Sequence, residues 1–365
     1  ETSFAIWVPG GRVLTWGDAC CGGAVPPELQ ARLRRVQQIE ASFGAYAAIL
    51  VDGTVVTWGL AECGGTSDAV QAQLYDVTLV RACDRSFAAL RRDGRAVTWG
   101  YEPNPFESAV SKVQDRLVEV AQLAASNGGA FAATLRNGDV VTWGSATDGA
   151  DSSMVQGQLK NVRQIISSAR AFAAILEDRS VVTWGDPENG GDCSAVRDRL
   201  KSVVHIHSTY GAFAAILDGG TVVTWGYPSD GGDSSDVVEQ LHSVQQLAST
   251  ASAFAATRAD GSVVTWGHPE RGGDSSRVQE RLKEVQQIEG SRMGFAAILS
   301  DGALVTWGTH GGALGGEAPE LHDVQSIKAS GEAFAALQGD GTIVAWGSPH
   351  FVTDCSGIQE ELKTL

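Results

Sequence analysis

Three groups of residues combine side-chain types and spacings that could do chemistry. His205 and His207 alternate along a predicted strand, so both imidazoles face one side and could begin a metal site. Asp-Ser-Ser segments, such as Asp274–Ser276, could supply a nucleophile or calcium ligands. The adjacent cysteines Cys20 and Cys21 could be redox-active. Each reading needs further partners from the chain.

Those partners are missing from the sequence patterns. The positions of His205 and His207 carry Gln287 and Glu289 in another repeat, so polar side chains are ordinary there. The sequence has no G-x-S-x-G segment and no dense ladder of carboxylates, and helix capping accounts for Asp-Ser-Ser. The six cysteines show no C-x-x-C spacing and no disulfide framework, and Cys20 and Cys21 are interpreted as free thiols in a loop. We therefore predict no catalytic residue, no metal, no cofactor and no enzymatic activity.

The charge of the chain narrows the class of partner. Asp and Glu number 43 against 27 Lys and Arg, a formal net charge of −16. A surface that follows phosphates needs clustered cations, so we expect no nucleic-acid partner and no binding to anionic membranes. No run approaches about 18 apolar residues and no signal-peptide pattern follows Glu1. We expect a soluble chain without membrane insertion, either a mature form or a fragment.

Internal repetition is the strongest signal in the sequence. Trp-Gly pairs begin at residues 16, 58, 99, 143, 184, 225, 266, 307 and 346, with spacings of 42, 41, 44, 41, 41, 41, 41 and 39. Such a period is typical of repeat architectures. We predict one repeat domain over residues 1–365, with units that begin near residues 1, 43, 84, 128, 169, 210, 251, 292 and 331.

Each unit contains the pattern of a β-hairpin. Two short apolar runs flank a glycine turn, as in Ala212–Leu217 and Thr221–Gly226, and the turn often reads Asp-Gly, as at Asp52 and Gly53. Both faces of the strands are apolar, so each sheet must lie between neighbours. A further apolar run, such as Val162–Ile166, precedes the hairpin and should add a third strand.

The loop after Trp-Gly predicts a short capped helix. Ser153 and Gln156, like Ser276 and Gln279, have the spacing of a capping box. Val278, Leu282 and Val285 then fall on one face of two helical turns.

Sandwiched units of about 41 residues favour a closed β-propeller. The same units in an open β-superhelix are the alternative. Closure is favoured because the chain begins with a hairpin that lacks its preceding strand and ends at Lys363–Leu365, where that strand would start. The closed ring therefore predicts that Lys363–Leu365 lies near Glu1–Trp7.

At these residues the chain resembles the repeat of the regulator of chromosome condensation family. That repeat also has a small-residue strand, an Asp-Gly turn, an aromatic strand ending in Trp-Gly and a glycine-containing loop. The resemblance covers nearly all of the chain and implies a propeller, usually seven-bladed, that recognises proteins on its faces. The chain departs from the family at Gly272–Ser276, where Gly-Gln-Leu-Gly is usual, and at Ala253–Ala256, where the inner strand usually carries His. Nucleotide exchange, the activity of one member, is not expected here.

The residues that differ between units, beside the Trp-Gly pair that every unit repeats, indicate where a partner would bind. The positions after each Trp-Gly differ between units and should form a ring of loops at one rim. The candidate partner-binding residues there are Tyr101, Phe106, Tyr227, His268 and His310. We predict a non-catalytic scaffold that binds another protein or a larger complex. The alternative is a small-molecule or glycan-binding module that uses the central channel.

Overall fold

The computed structural model describes residues 3–7, 13–101, 113–309, 320–329, 331 and 333–347. Within these ranges the strands form one two-stranded sheet, followed by eight antiparallel sheets of three strands each. We call each three-stranded sheet a blade. The predicted all-β class and the repeated hairpin with a third strand before it are confirmed. The predicted proximity of Lys363–Leu365 to the chain start concerns residues outside the described ranges.

The strands of each blade follow one another in sequence, and the second strand lies in the middle. In chain order the strands are β1 Ser3–Trp7 and β2 Val13–Gly17; β3 Val36–Ala41, β4 Ala45–Leu50 and β5 Val55–Gly59; β6 Val77–Ala82, β7 Ser86–Arg91 and β8 Ala96–Gly100; β9 Val120–Ala125, β10 Ala130–Leu135 and β11 Val140–Gly144; β12 Val162–Ser167, β13 Ala171–Leu176 and β14 Val181–Gly185; β15 Val203–Ser208, β16 Ala212–Leu217 and β17 Val222–Gly226; β18 Val244–Ser249, β19 Ala253–Arg258 and β20 Val263–Gly267; β21 Val285–Gly290, β22 Gly294–Leu299 and β23 Leu304–Gly308; β24 Val324–Ala329, β25 Ala333–Gln338 and β26 Ile343–Gly347.

The chain divides into two compact units. Unit 1 comprises Glu1–Glu177 and Val182–Asp186, and unit 2 comprises Asp178–Val181 and Pro187–Leu365. The single repeat domain over residues 1–365 stays a prediction.

Middle strands form the core because small and large apolar residues alternate along them. In β16, Ala212, Phe213 and Ala214 are fully buried, and Ile216 is nearly so. A strand that is apolar on both faces is stable only when both faces are covered. The clusters that cover it draw on more than one blade: Ala214 of β16 packs in the same cluster as Phe254 of β19.

The first strands of successive blades lie side by side within each unit, β3 with β6 and β9 in unit 1 and β15, β18 and β21 in unit 2. A glutamine amide fastens neighbouring first strands: Gln38 Nε2 donates to the carbonyl oxygen of Val80 at 3.2 Å. The segment Ala253–Ala256, interpreted as the inner strand, therefore lies in the middle strand β19, and that expectation was wrong. Period-2 apolar patterns do not show where a strand lies within its sheet.

The capped helices predicted after Trp-Gly are replaced by short 3₁₀ turns. Gln156 does not cap Ser153; its Nε2 donates to the carbonyl oxygen of Val140 at 3.0 Å, and its Oε1 accepts from Ser152 Oγ. The capping-box expectation was wrong because these side chains fasten the loop to the third strand of the blade. The helical segments are one α-helical turn Pro27–Gln30, a π-type turn Ala19–Gly23 and the 3₁₀ turns Ala61–Cys63, Gln71–Gln73, Gln114–Arg116, Ala146–Asp148, Pro187–Asn189, Ser194–Arg199, Pro228–Asp230, Ser235–Gln240, Pro269–Arg271 and Gln279–Arg281.

Candidate functional site

In seven of the described blades, two loops meet at one end of the blade, which we call its loop end. The residue after Trp-Gly donates its backbone N–H to the loop that joins the first and middle strands: Tyr227 N donates to Gly211 O at 2.7 Å. His268 N makes the same bond to Ser252 O in the next blade. Within each of these blades, the predicted variable position therefore lies at the same end as the loop between the first and middle strands, which we call the first loop.

The glycine of Trp-Gly makes this approach possible. Gly226 has φ +102°, and a Cβ there would lie 2.5 Å from the carbonyl oxygen of Gly211. Only glycine adopts this conformation without strain and leaves room for the neighbouring backbone. The backbone of Tyr227 is therefore positioned by Gly226 and by its bond to Gly211, and not by its own side chain.

The repeat tryptophans are core residues. Trp225 is 5% exposed, and its ring stacks on Phe213 with centroids 5.2 Å apart. Its indole Nε1 donates to the carbonyl oxygen of Gly190, in the loop after the preceding Trp-Gly, at 3.0 Å. Burial of such an aromatic is a large stabilising contribution. Trp225 thus holds the loop that contains Gly190 in place.

Three of the predicted rim residues lie in the described part of the chain. Tyr101 and Tyr227 are 46% and 47% exposed, as expected for contact residues. His268 is half-buried, and its Nδ1 is buried without a hydrogen-bond partner among the described residues. Phe106 and His310 lie outside the described residues. Tyr227 and His268 follow successive Trp-Gly pairs of unit 2, whereas Tyr101 belongs to unit 1.

Sequence reasoning missed two exposed aromatics in the first loops, Phe43 (55% exposed) and Tyr210 (37% exposed). The backbone of each bonds to the next first loop: Phe43 N donates to Asp84 O, and Tyr210 N to Ala251 O. The signal in the sequence was a second variable position, directly after the buried Ser, Thr or Cys that follows each first strand. Its occupants in the first seven blades are Phe43, Asp84, Asn127, Ala169, Tyr210, Ala251 and Arg292.

An arginine is held beside Tyr101 in unit 1. The Arg85 guanidinium lies 4.6 Å from the centroid of the Tyr101 ring, and its Nη2 is 3.4 Å from Glu62 Oε1. A hydrogen bond to Cys63, and then the Glu62 charge, raise the pKa of Arg85. Arg85 comes from the first loop of the same blade as Tyr101, whereas Glu62 comes from the loop after the preceding Trp-Gly.

In unit 2, Tyr210 is fixed by a neighbour two blades along the chain. Arg292 Nε and Nη2 donate to the Tyr210 hydroxyl at 3.1 and 2.7 Å, and the guanidinium carbon lies 5.5 Å from the ring centroid. Since Tyr227 bonds to Gly211, the residue after Tyr210, both tyrosines lie at the loop end of the β16 blade.

A groove of about 740 Å³ lies beside Tyr227, entirely within unit 2. The buried Cys193 and the edge of Trp225 form part of its lining. The described residues that line it include no lysine or arginine. Its carboxylates are Glu188 and Asp192. Its apolar walls are formed by Pro187, Val196, Tyr227 and Pro228.

One groove carboxylate is held in its ionised form. Asp192 Oδ1 accepts from the Ser194 backbone N–H at 2.8 Å, and Oδ2 accepts from the Ser194 hydroxyl at 3.1 Å. These hydrogen bonds, with a smaller contribution from the charge of Arg197, lower the pKa of Asp192 below 3.8. The donors that contact it are neutral, so the groove keeps this negative charge at neutral pH.

The chemical groups considered from the sequence are not brought together. His205 and His207 lie on β15, and burial lowers the pKa of His207 below 6.5. Within the described ranges, no three His, Cys, Asp or Glu residues are grouped so that they could hold a metal ion. Among the helices of the described segments, none is long and apolar enough to cross a membrane.

The chain was compared with known families, curated proteins and solved structures. No protein family and no curated protein matches it. Prp20p from Saccharomyces cerevisiae, described with its binding to Gsp1p and histones, is 15% identical and has a TM-score of 0.45. The match covers 82% of this chain and 88% of the Prp20p chain. The CRINKLY WD40 ectodomain of the Arabidopsis thaliana receptor kinase ACR4 is 13% identical over 72% of this chain and 93% of its own, with a TM-score of 0.42. Human WBSCR16 is 17% identical over 71% and 81%, with a TM-score of 0.42.

Similarities of this size transfer no residue role. A structure of yeast RCC1, which is Prp20, is also among the similar ones, at 16% identity and a TM-score of 0.41. The resemblance to the regulator of chromosome condensation family therefore rests on the repeat residues themselves.

Proposed function

We propose that this chain is a non-catalytic scaffold that binds a partner protein at the loop ends of its blades. The observation that carries the proposal is the pair Tyr210 and Tyr227. Both rings are exposed, and both belong to loops whose backbones are fixed by hydrogen bonds and by the buried Trp-Gly frame. Exposed tyrosines on rigid loops suit a binding hot spot, because little side-chain freedom is lost on binding.

Charge supports a neutral or basic partner surface. The chain carries a formal net charge of −16, and the groove beside Tyr227 adds two local carboxylates, Glu188 and Asp192. Complementary charges mainly speed association, so rising salt should slow it. Nucleic acid is disfavoured by the same charge.

The test compares two variants of the partner-binding surface. In Tyr210→Ala/Tyr227→Ala both rings are lost, and binding of the protein captured by the wild-type chain should weaken by about 2 kcal/mol or more. The matched variant Val238→Ala removes an exposed apolar side chain from the turn Ser235–Gln240 that does not line the groove beside Tyr227, and it should bind normally. Val238→Ala should keep the wild-type free energy of unfolding to within about 0.5 kcal/mol. The double variant also loses the bonds from Arg292 to Tyr210, so its free energy of unfolding should fall by about 1–2 kcal/mol while the chain stays folded. Equal binding by the double variant and the wild type would contradict the proposal.

A second candidate is a small-molecule or glycan site on the first strands. The observation that favours this site is the polar, exposed side of the first strands, which carries His205 and Gln246 in unit 2. A surface filled by Ala and Phe side chains would have excluded such a site. Some of these amides are already engaged: Gln287 Nε2 donates to Glu289 at 2.9 Å and also to Ile327 O. Binding of an oligosaccharide that is abolished by Gln246→Ala and unaffected by Tyr227→Ala would favour this second function.

A further inference from the structure

The repeat allows unit 2 to be compared, position by position, with the arginine site of unit 1. Tyr101 and Tyr227 are both the first residue after a Trp-Gly pair. Glu62 and Glu188 are both the fourth residue after the Trp of the preceding repeat. In unit 1, Arg85 lies between its tyrosine and its glutamate. The matching residue of unit 2 is Gly211, which has no side chain.

A second arginine in unit 1 shows that this position, which is glycine at Gly44 and Gly129, can also hold a guanidinium between the two loops. Arg170 occupies the position of Arg85 in another blade. Its Nε lies 2.9 Å from Asp148 Oδ1, a carboxylate of the preceding loop, and its Nη1 lies 3.1 Å from Asp186 Oδ2. Asp186 is the first residue after its own Trp-Gly, as Tyr101 and Tyr227 are after theirs. Twice in unit 1, therefore, the chain places an arginine between these two loops.

Unit 2 keeps the surroundings of that arginine. Tyr227 and Glu188 line the same groove. A Cβ built on Gly211 would lie 2.6 Å from Asp230 Oδ2, 3.0 Å from the Tyr227 Cβ and 3.3 Å from Asn189 Oδ1. Carboxylate and amide oxygens thus surround the point from which an arginine side chain would start, and all of them can accept from a guanidinium.

We propose that the groove beside Tyr227 binds an arginine side chain from an extended segment of the partner protein. The guanidinium stacks on the Tyr227 ring and faces Glu188, as Arg85 does with Tyr101 and Glu62. This inference rests on the proposed function and names the chemistry of its partner.

The remaining lining fits the rest of such a segment. Pro187, Pro228 and Val196 supply apolar walls for the methylene stem of an arginine and for neighbouring residues. Asp192 adds a second negative charge. Arginine is favoured over lysine because a planar, weakly hydrated guanidinium stacks on an aromatic ring and pairs with a carboxylate at the same time.

The test uses the peptide Ac-Gly-Pro-Arg-Pro-Gly-amide and its citrulline counterpart, which has the same shape without the charge. Binding is followed through the Tyr227 ring signals in NMR titrations of the full chain. We expect the arginine peptide to bind at least about threefold more tightly than the citrulline peptide, as expected for an exposed ion pair. Glu188→Gln should remove this preference.

Three further variants complete the experiment. Glu270→Gln is the matched control, because Glu270 is the fourth residue after Trp266 but the position after the next Trp-Gly is Thr309 in place of a tyrosine. It should leave peptide binding unchanged. Gly211→Arg restores the arginine of unit 1 within the chain and should abolish peptide binding, with Gly211→Ala as the control for folding.

Equal binding of the two peptides, or no binding of either, overturns the arginine inference, as does a Glu188→Gln variant that keeps the preference. If the partner still requires Tyr210 and Tyr227 in that case, the scaffold proposal stands and only its arginine chemistry falls. If the arginine peptide binds as expected but the partner ignores both tyrosines, the groove is real and the proposed function is wrong.

Discussion

The indole Nε1–H of Trp225 donates to the carbonyl oxygen of Gly190, 35 residues earlier in the chain and 3.0 Å away. The same bond joins Trp266 to Gly231 and Trp307 to Gly272. Each of these three tryptophans therefore fastens its own hairpin to the loop after the preceding Trp-Gly, so the position of that loop depends on the next repeat.

This relationship predicts a large effect for Trp225→Ala. The substitution removes a buried ring, its stack on Phe213 and the bond to Gly190, so the free energy of unfolding should fall by about 3–5 kcal/mol. Chemical denaturation followed by circular dichroism measures the change. Tyr227→Ala, two residues later but exposed, should change it by no more than about 0.5 kcal/mol. Similar losses for both variants would mean that the tryptophan is not the anchor.

The loop glycine that accepts this bond should tolerate no side chain. Gly190 has φ +92°, and a Cβ there would lie 2.5 Å from Phe213 Cδ2. Gly190→Ala should therefore cost about 1–2 kcal/mol in backbone strain and about 1–3 kcal/mol more in overpacking. Gly219 is the matched control, because its φ is +104° but nothing lies within 4 Å of the place that a Cβ would take. Gly219→Ala should show the strain alone. Thermal or urea unfolding of the two variants separates these contributions.

A buried hydroxyl, that of Ser275, should contribute to the stability of the loop after Trp266-Gly267. Ser275 Oγ donates to Gln279 Oε1 at 2.7 Å and lies 2.9 Å from Thr265 Oγ1, while Gln279 Nε2 donates to Val263 O. Ser275→Ala leaves the amide oxygen without this donor and should cost about 1–2 kcal/mol. Ser275→Cys should cost less, because Cys193 is buried at the same position of another repeat. An equal loss for both variants would show that a thiol cannot replace the hydroxyl here, and no loss for Ser275→Ala would show that the hydroxyl does not contribute.

Acid should destabilise the chain through its turn carboxylates. In Asp52, Asp178 and Asp260, hydrogen bonds from the Thr or Ser two residues later hold the pKa below 3.8. Since the folded-state pKa is depressed, the stabilisation is present above the unfolded value and is lost as pH falls through the lower folded value. Urea midpoints should therefore fall as the pH drops below about 4. Asp260→Asn should reduce that slope, and an unchanged slope would contradict the assignment.

Local patterns were sufficient for the hairpins. The apolar run Ala212–Leu217 and the turn glycines follow from residues close in sequence, and both are confirmed. The candidate residues Tyr101 and Tyr227 were also found this way, because a repeat puts equivalent positions in equivalent places.

Local spacing failed where a side chain had a choice of partners. The Ser-x-x-Gln spacing suits a helix cap, but Gln156 bonds to Val140, 16 residues earlier. The order of strands in a blade was misjudged for the same reason, since Ala253–Ala256 looks alike in a middle or an inner strand. Both outcomes depend on contacts between residues far apart in the chain.

The sequence by itself determined the repeat, the strand pairs and the positions where variation is tolerated, because period and turn chemistry are encoded within one unit. Only the tertiary structure brought Tyr210 beside Tyr227 and placed Arg85 between Tyr101 and Glu62. These neighbours come from different loops, and backbone hydrogen bonds between those loops, such as Tyr227 N to Gly211 O, set their distances. The absence of an arginine at Gly211 became informative only when the surroundings of Gly211 were compared with those of Arg85 in the structure.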